Sequence, residues 1–228
     1  MSDRYFTQET FDFLAALAAN NNRDWFQENK QGYEDAVRTP ALGFITDIAD
    51  ELAMISPHFL ALPKKVGGAL MRVNRDIRFG KDKRPYKTNI GIQFRHEVGK
   101  DVHAPGFYLH VENGECFWGV GIWRPDSTAL GKIRDAIIDD GDGWVAARDD
   151  KVFQKHYKLE GDALKNPPRG YAKEHPLIDD LKRKDFIAIA SINHKSVISK
   201  KLQSLTIERY SQAAPLMSYL CKALELRF

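Results

Sequence analysis

The sequence predicts an α+β fold, with a central, mainly antiparallel sheet and with N-terminal and C-terminal helices packed on it. Apolar residues recur at helical spacing in the N-terminal third and again near the C-terminus, whereas the middle of the chain alternates between apolar and polar residues. The dipeptide Asn113-Gly114 within that middle part is a strong signal for a two-residue hairpin turn. Helical runs on both sides of a block of strands are typical of this class.

The N-terminal third is expected to be helical. Three helices are predicted there, over about 7–19, 23–38 and 39–56. Thr7 and Asn22 are suited to cap the first two helices, because their side-chain oxygens can accept from a free backbone N–H. Pro40 suits the first turn of the third helix, where its missing N–H costs nothing.

The middle of the chain is expected to form strands, over 71–79, 88–95 and 106–123. In the first of these, the even positions Arg72, Asn74, Asp76 and Arg78 give one wholly polar face, because successive side chains of a strand point to opposite sides. The second and third strands continue the β region up to and beyond the hairpin turn.

The Asn113-Gly114 turn fixes the pairing of the strands around it, so that Leu109 opposes Trp118 and Tyr108 opposes Gly119. The core face is then expected to carry Phe107, Leu109, Val111, Cys116, Trp118, Val120 and Ile122, with Cys116 buried and inert. The other face is expected to carry Tyr108, His110, Phe117, Gly119, Gly121 and Trp123. The two glycines leave room for a ligand to approach the backbone, and a closely packed helix or the Tyr108 ring is the alternative.

Helices return in the C-terminal part, together with one more strand. The predicted helices lie near 127–138, 143–156, 176–183, 196–210 and 213–226, and the predicted strand covers 186–190. No repeat, low-complexity run or linker divides the sequence, so we expect a single domain over 1–228.

Composition excludes several classes of protein. The chain of 228 residues is 43% hydrophobic with a net charge of +3, which is globular and does not demand a nucleic acid or a membrane as partner. It contains no apolar run long enough to span a bilayer, and we expect no secretory leader because the first residues lack its charged-then-apolar layout. Two cysteines cannot build a disulfide framework, and the histidines show no metal-ligand spacing. We therefore expect a soluble, cytoplasmic protein without a membrane partner or a metal site.

Positive charge is concentrated in one segment. Residues 64–100 hold eleven Lys or Arg and three Asp or Glu, although the whole chain is nearly neutral. Guanidinium forks suit phosphate or carboxylate, so we nominate an anion site in this segment. Its predicted ligand-binding residues are Arg72, Asn74, Arg75, Arg78, Lys83, Tyr86, Lys87 and Thr88, joined by Tyr108 and Trp123 of the hairpin.

Two residues are candidates for acid–base catalysis. Asp76 lies between two arginines that would hold it ionised, and His110 lies on the glycine-containing face of the hairpin. The familiar enzyme signatures, including phosphate-binding loops, nucleophile elbows and metal motifs, are absent from the sequence. The sequence therefore predicts neither a reaction nor a cofactor. A second candidate segment, Asn20-Asn21-Asn22 before Trp25, is interpreted as helix capping, with a ligand site as the alternative.

These residues resemble those of the family known as domain of unknown function 2461. The resemblance is carried by the segments Asn21–Phe26, Arg75–Phe79, Lys83–Thr88, Gly106–Tyr108, Gly119–Trp123, Pro168–Tyr171 and His175-Pro176. It covers nearly the whole chain and implies a single full-length domain, but it implies no activity. The family usually has serine at the position of Gly80 and often has serine at the position of Arg84.

Three interpretations of the basic segment remain open at this point. It can bind a small anionic molecule, with Tyr108, Phe117 or Trp123 contacting the apolar part of that molecule. It can bind the phosphate backbone of a nucleic acid, with aromatic side chains for stacking. It can also be purely structural or mediate a protein interaction, with its charges in internal salt bridges. A concave cluster of Arg72, Arg78 and Lys87 favours the first interpretation, and a flat or convex basic stripe that extends to Lys64, Lys65 and Lys100 favours the second. Pairing of both arginines with internal carboxylates such as Asp82 or Glu112 favours the third.

Overall fold

A computed structural model describes residues 4–78, 80–99 and 104–228. Phe79, which ends the first predicted strand, and Lys100, in the basic segment, lie outside these residues. The helices are α1 Gln8–Ala19, α2 Arg23–Glu28, α3 Lys30–Tyr33, α4 Thr39–Asp47, α5 Ala49–Ile55, α6 Ser127–Asp139, α7 Gly141–Arg148, α8 Lys151–His156, α9 Ile178–Leu181, α10 His194–Val197, α11 Leu202–Gln212 and α12 Ala214–Ala223. The strands are β1 Phe59–Leu60, β2 Asn89–His96, β3 Gly106–Glu112, β4 Glu115–Ile122, β5 Lys158–Glu160 and β6 Phe186–Ser191.

Over the described ranges, six strands form one antiparallel sheet in the order β1-β2-β3-β4-β6-β5. The predicted α+β class is therefore confirmed, with helices both before and after the strands. The hairpin register is also confirmed, because Leu109 pairs with Trp118 and Tyr108 pairs with Gly119. Among the described helices, none is both long and apolar enough to cross a bilayer.

One face of the sheet carries the hydrophobic core. Ile92, Leu109 and Trp118 of three neighbouring strands are buried there, and α4 packs on β2 while α11 and α12 pack on β4. The indole N–H of Trp118 donates to the buried hydroxyl of Thr206 in α11 at 2.9 Å, which satisfies a polar group inside the core. The N-terminal and C-terminal helices thus lie on the sheet as predicted. Cys116 is only half-buried, which corrects the expectation of a buried thiol, but burial still raises its pKa.

The glycines of the opposite face accommodate parts of the protein itself. The ring of Tyr108 covers Gly119, where an added Cβ would lie 3.5 Å from the tyrosine Cβ. Gly121 has a φ of +107° and approaches the carbonyl oxygen of Phe186 so closely that an added Cβ would lie 2.0 Å from it. The alternative in which Tyr108 folds over Gly119 is therefore the one the structure adopts.

Several elements differ from their predicted bounds. The second predicted helix is divided at Asn29 into α2 and α3, followed by a π-helical turn, Glu34–Arg38, that leads into α4 without a break. The third is divided at Ile48 into α4 and α5. The strands β1 and β5 were not predicted, because two or three residues are too few to show a period.

Candidate functional site

The basic segment does not form the regular strand predicted over 71–79. Its residues 69–75 lie antiparallel to 85–93, but they pair only through isolated bridges, Leu70 with Ile92 and Asn74 with Tyr86. The register between these bridges shifts by two residues, and among the described residues of the segment no bridge follows Asn74, so the two stretches do not form a continuous ladder. The alternation itself survives, because Arg72, Asn74, Asp76 and Arg78 are all exposed while the odd-numbered residues from 71 to 77 are half-buried.

Asn21 anchors the basic segment to the N-terminal helices. Its side-chain Nδ2 donates to the Tyr86 carbonyl at 3.0 Å, and its Oδ1 accepts from the Tyr86 N–H at 3.1 Å. The carboxamide therefore satisfies both backbone groups of Tyr86, as the peptide unit of a neighbouring strand would do. The Tyr86 ring is buried and stacks on Phe26 with 4.1 Å between ring centroids. Asn22 caps α2 by accepting from the Trp25 N–H at 2.9 Å, which agrees with the capping interpretation.

Three arginines of the segment pair with acids close to them in the sequence. Arg78 donates from Nη2 to Asp76 Oδ2 at 2.7 Å and from Nε to Oδ1 at 3.0 Å. Asp82 accepts from Arg84 at 2.7 Å and also pairs with Arg75. Lys83 donates from Nζ to the Ile77 carbonyl at 2.9 Å. These contacts agree with the structural interpretation for this part of the segment.

The contacts of Asp76 limit its use as a base. The hydrogen bonds from Arg78 hold the pKa of the Asp76 carboxyl well below its usual range, and the nearby charge of Arg72 lowers it further. A carboxylate of such low pKa is a weak proton acceptor at neutral pH. Asp76 is therefore placed to orient Arg78, and catalysis by Asp76 stays a prediction.

A cleft of about 970 Å³ lies beside the segment. Four predicted site residues line it, namely Arg72, Asn74, Asp76 and Lys87. The remaining walls come from the turn that follows β1 and from the β2 side of the sheet, where the lining residues include Lys65, Val66, Gly68, Gln93 and Arg95. Its concave form distinguishes this arrangement from a flat basic stripe.

Arg72 and Lys87 are two cations of the cleft whose side chains have no partner among the described residues, a state they share with the exposed Lys65. Neither side chain donates a hydrogen bond or forms an ion pair with any described residue, and Lys87 is half-buried. Burial lowers the pKa of the Lys87 ammonium, and repulsion from Arg72 adds to the effect. An anion in the cleft would offset both the burial of the Lys87 ammonium and its repulsion from Arg72, because the anion would pair with the two positive charges at once.

A second group of predicted residues forms a hydrogen-bonded network on the sheet face that carries Tyr108. The His110 ring has Nδ1 at 3.0 Å from the Tyr108 hydroxyl and Nε2 at 3.1 Å from Glu112 Oε2. Thr88 donates to the other Glu112 oxygen at 2.6 Å. His110 also stacks on Phe117, with 4.6 Å between the centroids.

This network occupies the groups that catalysis would need. Both nitrogens of His110 have partners, so the ring offers no free lone pair to a substrate. Burial raises the pKa of Tyr108 to about 12, which keeps the phenol protonated. The hydrogen bonds thus connect β3 to Thr88, the residue before β2, and a catalytic role of His110 stays a prediction.

The structure does not gather all the predicted site residues in one place. The cleft contains Arg72, Asn74, Asp76 and Lys87, whereas Thr88, Tyr108 and His110 belong to the network. Outside both lie Arg75, Arg78, Lys83, Tyr86 and Trp123. Trp123 is 63% exposed, with the Arg124 guanidinium 4.8 Å from its ring. Within the described residues, no group of three or more acidic, histidine or cysteine side chains is placed to hold a metal ion.

Sequence reasoning missed the role of Asn21 and the contribution of the turn around Val66. The signal for that turn was present in Lys64-Lys65-Val66-Gly67-Gly68, where Gly67 has a φ of +70° and an added Cβ on Gly68 would lie 2.4 Å from the Leu62 carbonyl oxygen.

Comparison with known proteins gives one result for the family. The family described as "Conserved hypothetical protein (DUF2461)" matches residues 9–219. No curated protein and no solved structure matches the chain. The match spans the cleft, the hairpin network and most of the helices on the core face.

Proposed function

The chain belongs to the DUF2461 family of conserved hypothetical proteins, and on the geometry of its cleft we propose that it binds a small anionic molecule that carries a phosphate or carboxylate group. One observation carries this proposal: Arg72 and the half-buried Lys87 line the same concave surface without a protein partner. A guanidinium and an ammonium that share a cleft provide several hydrogen-bond donors and no acceptor, which suits an anionic group.

The other two interpretations have less support. Tyr108 and Trp123, the aromatic residues of the hairpin among the predicted ligand-binding residues, do not line the cleft and so are not placed to stack bases beside its cations. The ion pairs of Arg75, Arg78 and Arg84 explain those three arginines, but they leave Arg72 and Lys87 unexplained. Binding without an assigned reaction is therefore the function that we propose. Both cysteines are free thiols, which is consistent with the cytoplasm as the proposed location.

Thermal unfolding in the presence of anions tests this function. Inorganic phosphate and citrate should raise the melting temperature of the wild type as their concentrations increase, because a ligand that binds only the folded state stabilises it. Arg72→Ala should weaken this response. Lys83→Ala is the matched control, because it removes one positive charge from the same segment outside the cleft.

Two results would refute the proposal. One is an absence of any anion response in the wild type at ionic strength held constant with sodium chloride. The other is an equal loss of response in Arg72→Ala and Lys83→Ala, since this would indicate a general charge effect. A short oligonucleotide in the same assay tests the nucleic-acid alternative, which requires binding that falls steeply with salt.

A further inference from the structure

The cleft has an apolar part that the fold leaves uncovered. Leu60 is 36% exposed and Val66 is 88% exposed, and Leu62 lies half-buried on the same wall. Single exposed apolar side chains are common on protein surfaces, but several in one concave site indicate a ligand with an apolar part. The tight turn that closes on Gly68 holds Val66 in this position.

The apolar and cationic parts of the cleft lie towards different ends of one short segment, residues 69–73. At one end, the Ala69 N–H donates to the Leu62 carbonyl at 2.8 Å. At the other end, the Lys87 N–H donates to the Val73 carbonyl at 2.8 Å. Val73 follows Ala69 by four positions, so these two ends are at most roughly 13 Å apart. One small molecule can therefore contact both parts.

The charges along the cleft complement an anionic head group. Five basic side chains line it, namely Arg38, Lys65, Arg72, Lys87 and Arg95, against two acidic ones, Asp76 and Glu97. Both acids are already paired, Asp76 with Arg78 and Glu97 with His58 and Arg227, and of the five basic residues Arg38 is paired with Glu34. The uncompensated charge of the cleft is positive, which excludes a cationic amphiphile.

We infer that the ligand is an amphipathic anion, with its phosphate or carboxylate at Arg72 and Lys87 and an alkyl or aryl part against Leu60, Leu62 and Val66. This inference rests on the anion site proposed above, and it replaces Tyr108, Phe117 and Trp123 as the apolar contacts. Burial of the apolar part would remove from water both the ligand carbon atoms and the uncovered wall.

Isothermal titration with three probes separates this inference from the proposed function. Inorganic phosphate, glycerol 3-phosphate and hexyl phosphate carry the same head group but differ in the part attached to it. We expect hexyl phosphate to have a Kd about tenfold lower than that of glycerol 3-phosphate. Equal Kd values for the two esters would overturn the amphipathic ligand and leave the anion site in place, whereas an absence of binding by all three phosphates, together with no thermal response to citrate, would overturn both.

A pair of surface variants tests where the alkyl chain binds. Val66→Ser should raise the Kd of hexyl phosphate about threefold or more while the Kd of glycerol 3-phosphate stays unchanged. Met54→Ser is the matched control, since Met54 is 86% exposed but does not line the cleft. Both changed side chains are exposed, so neither variant should disturb the fold. The inference is overturned by an unchanged hexyl phosphate affinity in Val66→Ser, or by an equal loss in Met54→Ser.

Discussion

Replacement of Asn21 by alanine should destabilise the protein through the loss of two hydrogen bonds. The variant removes the bonds of 3.0 and 3.1 Å to the Tyr86 carbonyl and N–H, and alanine has no group to replace them. Each bond contributes about 0.5–1.5 kcal/mol, so the free energy of unfolding should fall by about 1–3 kcal/mol. For a chain of this length, a loss near the middle of that range lowers the melting temperature by about 4–8 °C.

Urea unfolding followed by circular dichroism measures this loss, and Asn20→Ala provides the control. Asn20 is the preceding residue, and its exposed side chain only donates to the Ala16 carbonyl at the end of α1. The control should change the free energy of unfolding by no more than about 0.5 kcal/mol. A loss for Asn21→Ala that is no larger than the control's would refute the reasoning that the carboxamide holds Tyr86 in place.

The remaining predictions concern glycines, alkaline pH and cooperativity. Gly121→Ala should lower the free energy of unfolding by about 2–5 kcal/mol, because it combines a positive φ with a clash against Phe186; Gly131→Ala in α6 meets no atom within 4 Å and should raise it by about 0.5–1 kcal/mol. Chemical denaturation measures the free energy of unfolding of both variants. A Gly121→Ala variant that is more stable than Gly131→Ala would contradict these two predictions. Burial raises the pKa of Tyr108 from 10.0 to about 12, so the contribution of its neutral phenol is complete below pH 10 and is lost as the pH rises towards 12. The melting temperature should therefore fall less steeply between pH 10 and pH 12 for Tyr108→Phe than for the wild type. Equal slopes for the two proteins would contradict the raised pKa of Tyr108. If the chain is one domain, calorimetry should show a single transition with equal calorimetric and van't Hoff enthalpies, and two resolved transitions would show otherwise.

The hairpin could be predicted in detail because its determinants are local. Asn113-Gly114 permits only a short turn, and that turn fixes which residues of β3 and β4 oppose each other. The segment 71–79 misled the prediction because alternation requires only an extended backbone, not a ladder of hydrogen bonds. The prediction of a polar face was therefore correct, while the prediction of a regular strand was wrong.

The candidate site could be predicted only in part, since its contacts connect distant parts of the chain. Asn21 and Tyr86 lie 65 positions apart, and neither residue type indicates the other as its partner. Arg72 and Arg78 look equivalent in the sequence, yet only Arg72 lines the cleft, whereas Arg78 lies outside it and is hydrogen-bonded to Asp76. Burial and pairing of charges are properties of the folded chain, and they distinguish residues that composition treats alike.

The short outermost strands of the sheet have a consequence for behaviour at high concentration. β1 has two residues and β5 has three, so each edge exposes only a few N–H and C=O groups to which an extended foreign chain could add. Long, open edges are the usual template for aggregation through added strands. The sheet therefore limits such growth at both of its ends, where neighbouring molecules in a crowded solution would first meet it.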